Sequence, residues 1–152
     1  GEDVTYSGTV AAAMEGTLLG VPSIAFSQVW ADGRSVKWAT AEKWTPRVLK
    51  ALCAEAWPAG VLINVNFPDV TAGHVIGIEV TRQGRRKIGS DLVSGVDPRG
   101  EPYYWIGAQR REEHYRPGSD LEAIGRGAVS VTPLTMDLTH GPTLKKMRNR
   151  FK

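Results

Sequence analysis

The sequence has one cysteine, Cys53, three histidines, and no apolar run near the roughly 18 residues that suggest a membrane span. Each shortage excludes something. A lone cysteine forms no internal disulfide and brings none of the partners that a cysteine-rich zinc site needs. Its isolation predicts a reducing compartment, the cytoplasm. His74, His114 and His140 stand apart from one another, with no His-x-x-x-His pair and no adjacent pair of aspartates. Each histidine is therefore expected on the surface or in a loop, and no metal-ligand cluster can be drawn. There is no internal repeat and no low-complexity linker, and no membrane partner is expected.

What is present describes one ordinary domain. The 152 residues are 41% apolar and 23% charged, which excludes a disordered tail or a fibrous repeat. The net charge of +3 is unevenly placed. Residues 141–152 hold five basic side chains (Lys145, Lys146, Arg148, Arg150, Lys152) and no acid, so the other 140 residues carry −2. A solvated terminus accounts for that tail. Nucleic acid is not an expected partner, because no aromatic interleaves the basic residues before Phe151. The chain opens on Gly1-Glu2-Asp3-Val4 and leads straight into a turn of functional type. That opening predicts a fragment whose N-terminal part is absent.

Local signals give an order of elements. Ser7 or Thr9 is the N-cap of a helix propagated by Ala11–Ala13 and stopped near Gly20 and Pro22. Val21 to Ser27 reads as a short buried strand. Across residues 36–57, Trp44, Val48, Leu49, Leu52, Cys53 and Ala56 share one helical face, which places Cys53 in the core. Thr45-Pro46 means that this helix either begins or is kinked there. Residues 61–66 and 75–82 read as further strands. Helix, strand, helix, strand predicts an α/β layer with parallel strands and helical crossovers.

The second half differs. Asp97-Pro98-Arg99-Gly100 is a turn, and Tyr103-Tyr104-Trp105-Ile106 is strongly β-prone. Together they predict a projecting hairpin that pairs with another subunit. Ser119-Asp120-Leu121-Glu122 fits a capping box, Val129 to Leu134 a strand, and Pro142 the start of a C-terminal helix.

Two features could carry chemistry. Ser7-Gly8-Thr9 places two hydroxyls around a glycine where a helix begins. The free N–H groups and the helix dipole there favour an anion, and phosphate suits the site. The plain alternative is a helix cap and nothing more. Asn64 and Asn66 flank Val65 at a strand end, where α/β proteins place ligands, although backbone or turn roles are simpler. Asp3 and Glu15 lie near the Ser-Gly-Thr turn without a clustered partner. Ser7 has no histidine near it in sequence. Trp38, Trp44 and Trp57 are expected to pack rather than to stack on a ligand. A hydrolase needs a group that activates water and a group that stabilises developing charge; only the second has a candidate here.

At this point the motifs resemble one family. Residues 3–16 (DVTYSGTVAAAMEG), 20–27 (GVPSIAFS), 64–69 (NVNFPD), 97–107 (DPRGEPYYWIG), Ser119-Asp120 and 129–139 (VSVTPLTMDLT) are similar, in this order, to the stationary-phase survival protein SurE family. The resemblance covers residues 3 to about 139 and departs at Ala128, where the family commonly has an aromatic residue. It implies a Rossmann-like three-layer α/β fold, with its first strands missing here, and a C-terminal projecting hairpin and oligomerisation segment. The implied division is residues 1–82 for the α/β part, 83–118 for the hairpin, and 119–152 for the final helix, strand and tail. The implied activity is divalent-metal-dependent (Mg or Mn) hydrolysis of nucleoside 5′- and 3′-monophosphates, with short polyphosphate as a further substrate. Ser7, Gly8 and Thr9 match the turn that faces the phosphate pocket. The family's metal ligands lie upstream of Gly1, so no catalytic or metal residue maps onto this chain. The chain alone is then expected to be inactive. The implied partner is a second copy, in a homodimer or homotetramer. A non-catalytic oligomerisation or anion-binding module is the alternative.

Overall fold

Helix α1 (Gly8–Leu18) begins at Ser7, whose extended backbone lets its Oγ accept the Val10 N–H at 3.2 Å. Of the two candidate caps, Ser7 fills the role and Thr9 lies inside the first turn. The computed structural model describes residues 1–31, 33–85, 92–106 and 115–151. A short 3-10 turn (Glu2–Thr5) precedes α1. Strand β1 (Ile24–Gln28), helix α2 (Trp38–Leu52), β2 (Val61–Phe67) and β3 (Ile78–Val80) follow. Then come β4 (Leu92–Val96), β5 (Pro102–Ile106), α3 (Asp120–Arg126), β6 (Val129–Thr135) and α4 (Gly141–Arg148). His114 lies outside the described residues.

Four strands form a mixed sheet in the order β1-β2-β6-β3. The β1–β2 and β3–β6 pairs are parallel, as helical crossovers require, but β6 runs antiparallel to β2. The parallel pairing expected for the first sixty-odd residues holds, and β6, which lies outside that expectation, is the strand that runs antiparallel to β2. Pro133 sits in β6 without breaking it. The Val129 N–H bonds Gly77 O and Val131 O accepts the Thr81 N–H, so odd positions of β6 face β3. Strand β3 ends before Pro133, so the missing proline N–H falls beyond the paired residues of β3 and β6.

Alternation along β2 separates two cores. Ile63, Val65 and Phe67 pack with Val48 of α2 and with Val75, Val129 and Val131; Phe67 also stacks on Phe26, with ring centroids 5.9 Å apart. Leu62 packs on the opposite face with Val10 and Ala13 of α1, Ala25 and Leu134. The next residues on the Leu62 face are Asn64 and Asn66. The apolar filling stops there, at the C-terminal ends of β1 and β2.

Helix α2 runs through Pro46 instead of starting at it. The missing N–H deprives the Glu42 carbonyl, which lies on an exposed residue where water can replace it. Burial of Val48, with Trp44 and Leu52 packed beside it, holds the second half of the helix. The helix ends at Leu52, so Cys53 is its cap residue and is exposed, as is Ala56. The core position expected for Cys53 is thus wrong: the helical periodicity was extended one residue past the helix. Trp38 is also exposed, at 62%, whereas Trp44 and Trp57 pack against the core with their indole N–H groups bonded to Ala72 O and Val61 O.

The Ser119 cap forms, but Glu122 reaches back to the Gly118 N–H and not to that of Ser119, which bonds Arg116 O. Ser119 Oγ accepts the Glu122 N–H at 3.2 Å, and Glu122 accepts the Gly118 N–H at 3.3 Å. Arg126 bonds both Glu122 and Glu79, tying α3 to β3. Those contacts, the hydrogen bond to Glu122 foremost, hold its guanidinium pKa above the ordinary value. The β4–β5 hairpin pairs antiparallel from Leu92↔Ile106 to Val96↔Pro102. Its turn is organised by Asp97, which accepts the Arg99 and Glu101 N–H groups at 2.8 and 2.9 Å.

Candidate functional site

A cavity of about 710 Å³ opens where the apolar core stops. That volume falls within the range of small-molecule sites, and the C-terminal ends of parallel strands are where such folds place them. Its walls come from four separate stretches of chain. Ser27 lies in β1, with Val29 and Trp30 just after it; Asn64 and Asn66 lie in β2, with Asp69 and Val70 after it; Asp3, Val4 and Ser7 precede α1, and Val10 lies in its first turn; Asp120, Leu121 and Ile124 come from α3. Arg34 and Tyr115 also line it.

The α1 wall is built by its cap. Because Ser7 Oγ accepts a hydrogen bond, its own proton remains free to donate. Gly8 and Thr9 are exposed in the first turn, where N–H groups lack intrahelical acceptors. Ser7 lines the cavity, whereas Gly8 and Thr9 stand beside it and are not among the lining residues. Nothing lies within 4 Å of the position a Gly8 Cβ would take, so the backbone there is open to approach.

The floor is polar and rigid. Asn64 is 2% exposed. It pairs in register with Ala25 on one side and Thr132 on the other, so strands fix it on both flanks. Thr132 in turn shares a 2.7 Å hydroxyl contact with Thr81. The two asparagines thus line a ligand-sized cavity, beyond the backbone or turn roles that were the simpler expectation.

The acids of the cavity are already engaged. Asp69 forms an ion pair with Lys37 at the start of α2, and Thr40 Oγ1 donates to Val70 O at 2.6 Å, so α2 holds the loop after β2. Asp120, 2% exposed, accepts the Gly84 and Leu121 N–H groups, each at 2.8 Å, and meets the Gly1 nitrogen. Gly84 is a glycine for a steric reason: a Cβ there would stand 2.8 Å from Asp120 Oδ1. Asp3 accepts the Tyr6 hydroxyl at 2.5 Å. Among the described residues no group of three or more His, Cys, Asp or Glu is placed to hold a metal ion. These side chains do not by themselves fit a divalent-cation site. Glu15, His74 and His140 are exposed and line no part of the cavity.

A family model described as "Survival protein SurE" matches residues 1–90, more than half of the chain. The chain belongs to the SurE family. Curated SurE relatives agree over nearly its whole length. It is 60% identical over 151 residues to "5'-nucleotidase SurE" of Paramagnetospirillum magneticum, covering 99% of this chain and 58% of that protein. With "5'-nucleotidase SurE" of Rhodospirillum rubrum it shares 51% identity, over 99% of this chain and 59% of the relative. The crystal structure of the SurE protein from Aquifex aeolicus superposes with a TM-score of 0.84 at 39% identity, over 100% of this chain and 60% of that one. The α/β, Rossmann-like fold expected from the motifs is therefore the fold observed. This SurE chain spans somewhat under two thirds of the length of the relatives it matches.

Ser27, Trp30, Arg34, Asp69, Tyr115 and Asp120 were not singled out as site residues from the sequence. A usable signal existed for Ser27 and Trp30, which stand at the end of a predicted parallel strand. Arg34, Tyr115 and Asp120 reach the cavity only through the path of the folded chain. No helix among the described residues is long and apolar enough to cross a membrane.

Proposed function

We propose that this SurE-family protein hydrolyses nucleoside 5′- and 3′-monophosphates to nucleoside and phosphate, with short polyphosphate as a further substrate. The observation that carries the reading is the start of α1 beside the cavity, with Ser7 free to donate and the first-turn N–H groups of Gly8 and Thr9 lacking helical acceptors. The SurE relatives' name, 5'-nucleotidase, supports it. In this reading Ser7, Gly8 and Thr9 hold the phosphoryl oxygens, and their donors stabilise charge as it develops. A divalent cation, Mg²⁺ or Mn²⁺, belongs to the same proposal. Its ligands would come from the part of the SurE length that these 152 residues do not span, and none of the roles above passes through it.

Phosphate release from AMP tests the reading. The full-length protein is expected to be active and chelator-sensitive, and the 152-residue chain to be inactive. Ser7→Ala or Thr9→Val in the full-length protein should each lower kcat about 10- to 100-fold; Thr9→Val should leave the unfolding midpoint in place, whereas Ser7→Ala also removes the α1 cap and should cost about 1 kcal/mol of stability. Equal kcat in both variants would remove this turn from the site.

The second proposal concerns assembly as a homodimer or homotetramer. Val93, Tyr104 and Trp105 of the hairpin are exposed, at 59, 68 and 66%. A hairpin so apolar on its outer surface suits contact with another copy. Changing Tyr104 and Trp105 to glutamate should reduce the mass measured by light scattering to that of a smaller assembly. An unaltered mass would place the contact elsewhere.

A further inference from the structure

Five tryptophans occur in the chain, and four have a place that needs no ligand or adjoin none. Trp44 and Trp57 pack on the core with their N–H groups satisfied. Trp105 stands edge-on to Tyr103 in the hairpin, and Trp38 lies away from the cavity on the first turn of α2. Trp30 is different. It is 52% exposed, belongs to neither core cluster, and lines the cavity.

The chain around Trp30 is held in place. Gln28 Nε2 donates to Val29 O at 3.0 Å, Phe67 O at 3.3 Å and Pro68 O at 2.9 Å, clamping the segment before Trp30 to the end of β2. The Val29 N–H extends the β1–β2 ladder to Phe67 O at 2.9 Å. Beyond Trp30, the Arg34 N–H closes a turn onto Ala31 O at 3.1 Å, with Gly33 at a φ of +76° that favours glycine. An exposed indole on a braced backbone loses little freedom when a flat ring lies against it. Arg34 lines the same cavity and brings a planar cation suited to the edge or face of a heterocycle. Ser7 and the start of α1 border that cavity too, so one ligand of nucleotide size can meet both ends.

Resting on the nucleotidase reading, we infer that Trp30 is the stacking residue for the nucleobase and that Arg34 flanks it. Trp30 thereby sets a preference for nucleotides over phosphomonoesters that lack a base. The site's two ends divide the ligand: the α1 turn takes the phosphate, and the Trp30 segment takes the aromatic ring. Base-on-aromatic stacking is sequence-tolerant, because every base offers a π-face. Adenine and guanine nucleotides should therefore both benefit.

The test compares AMP with ribose 5-phosphate, which lacks only the base, in the full-length protein and its Trp30→Ala and Trp30→Phe variants. The expected result is a fall of about tenfold in the ratio of kcat/KM for AMP to that for ribose 5-phosphate in Trp30→Ala. Trp30→Phe should recover most of that ratio, since it restores an aromatic face. An unchanged ratio in Trp30→Ala, whether activity is retained or falls equally on both substrates, overturns the stacking role and leaves the nucleotidase reading standing. Failure of the unsubstituted protein to hydrolyse AMP overturns that reading, and the inference falls with it.

Discussion

Replacing Asp120 by alanine is expected to lower the unfolding free energy by about 3 kcal/mol, measured by urea denaturation. The carboxylate is 2% exposed and accepts the Gly84 and Leu121 N–H groups, each at 2.8 Å, while also meeting the Gly1 nitrogen. Truncation removes the acceptor and leaves the Gly84 donor buried with nothing in its place. The consequence reaches the cavity, because Asp120 joins the start of α3 to the residue-84 loop and to the entry of α1. Asp120→Asn keeps an acceptor oxygen of the same shape and should cost about half as much. A loss below about 1 kcal/mol in the alanine variant would mean that water or a shifted backbone replaces the carboxylate.

Phe67→Ala should destabilise by about 3–5 kcal/mol. Phe67 is 1% exposed, stacks on Phe26, and packs among Val48, Val65 and Val129 between α2 and the sheet. Alanine there empties a space that strands on one side and a helix on the other cannot collapse to fill. Phe67→Leu retains most of the volume and should lose less than half as much. The comparison separates cavity formation from loss of the aromatic pair. If both variants lost equally, the ring–ring contact rather than the volume would dominate. The effect should extend to the site, since Phe67 O accepts from Val29 and Gln28 and so anchors the Trp30 segment.

The parts of this fold that were legible in advance depend on neighbours in sequence. Ser7 and Ser119 cap helices because a hydroxyl three residues before a free N–H needs no other chain segment. The Asp97–Gly100 turn forms for the same kind of reason. The apolar run from Val61 announced a strand, and Asn64 and Asn66 at its end stood where α/β proteins place ligands, a local hint of the cavity.

Elsewhere packing overrode local preference. Of the two readings open at Pro46, a helix start or a kinked helix, the start is excluded: proline inside a helix is disfavoured by about 3 kcal/mol, yet α2 continues because Val48 is buried and Leu52 packs on the core beyond it. Cys53 fits the apolar spacing but follows the last helical residue, so the periodicity that placed it in the core no longer applied. The direction of β6 was also hidden. The sequence marks a strand there, whereas pairing with β2 on one edge and β3 on the other decides which way it runs.

By itself the sequence determined the helix caps, the hairpin turn, the main strands and, through its ordered motifs, the SurE family. Each of these is written in residues close together in the chain. Only the tertiary structure decided which side chains share the cavity. Ser7, Trp30, Asn64 and Asp120 meet because two parallel strands end beside the starts of α1 and α3. Nothing local encodes that meeting: it follows from burying both faces of one sheet, and the polar residues gather where that burial stops.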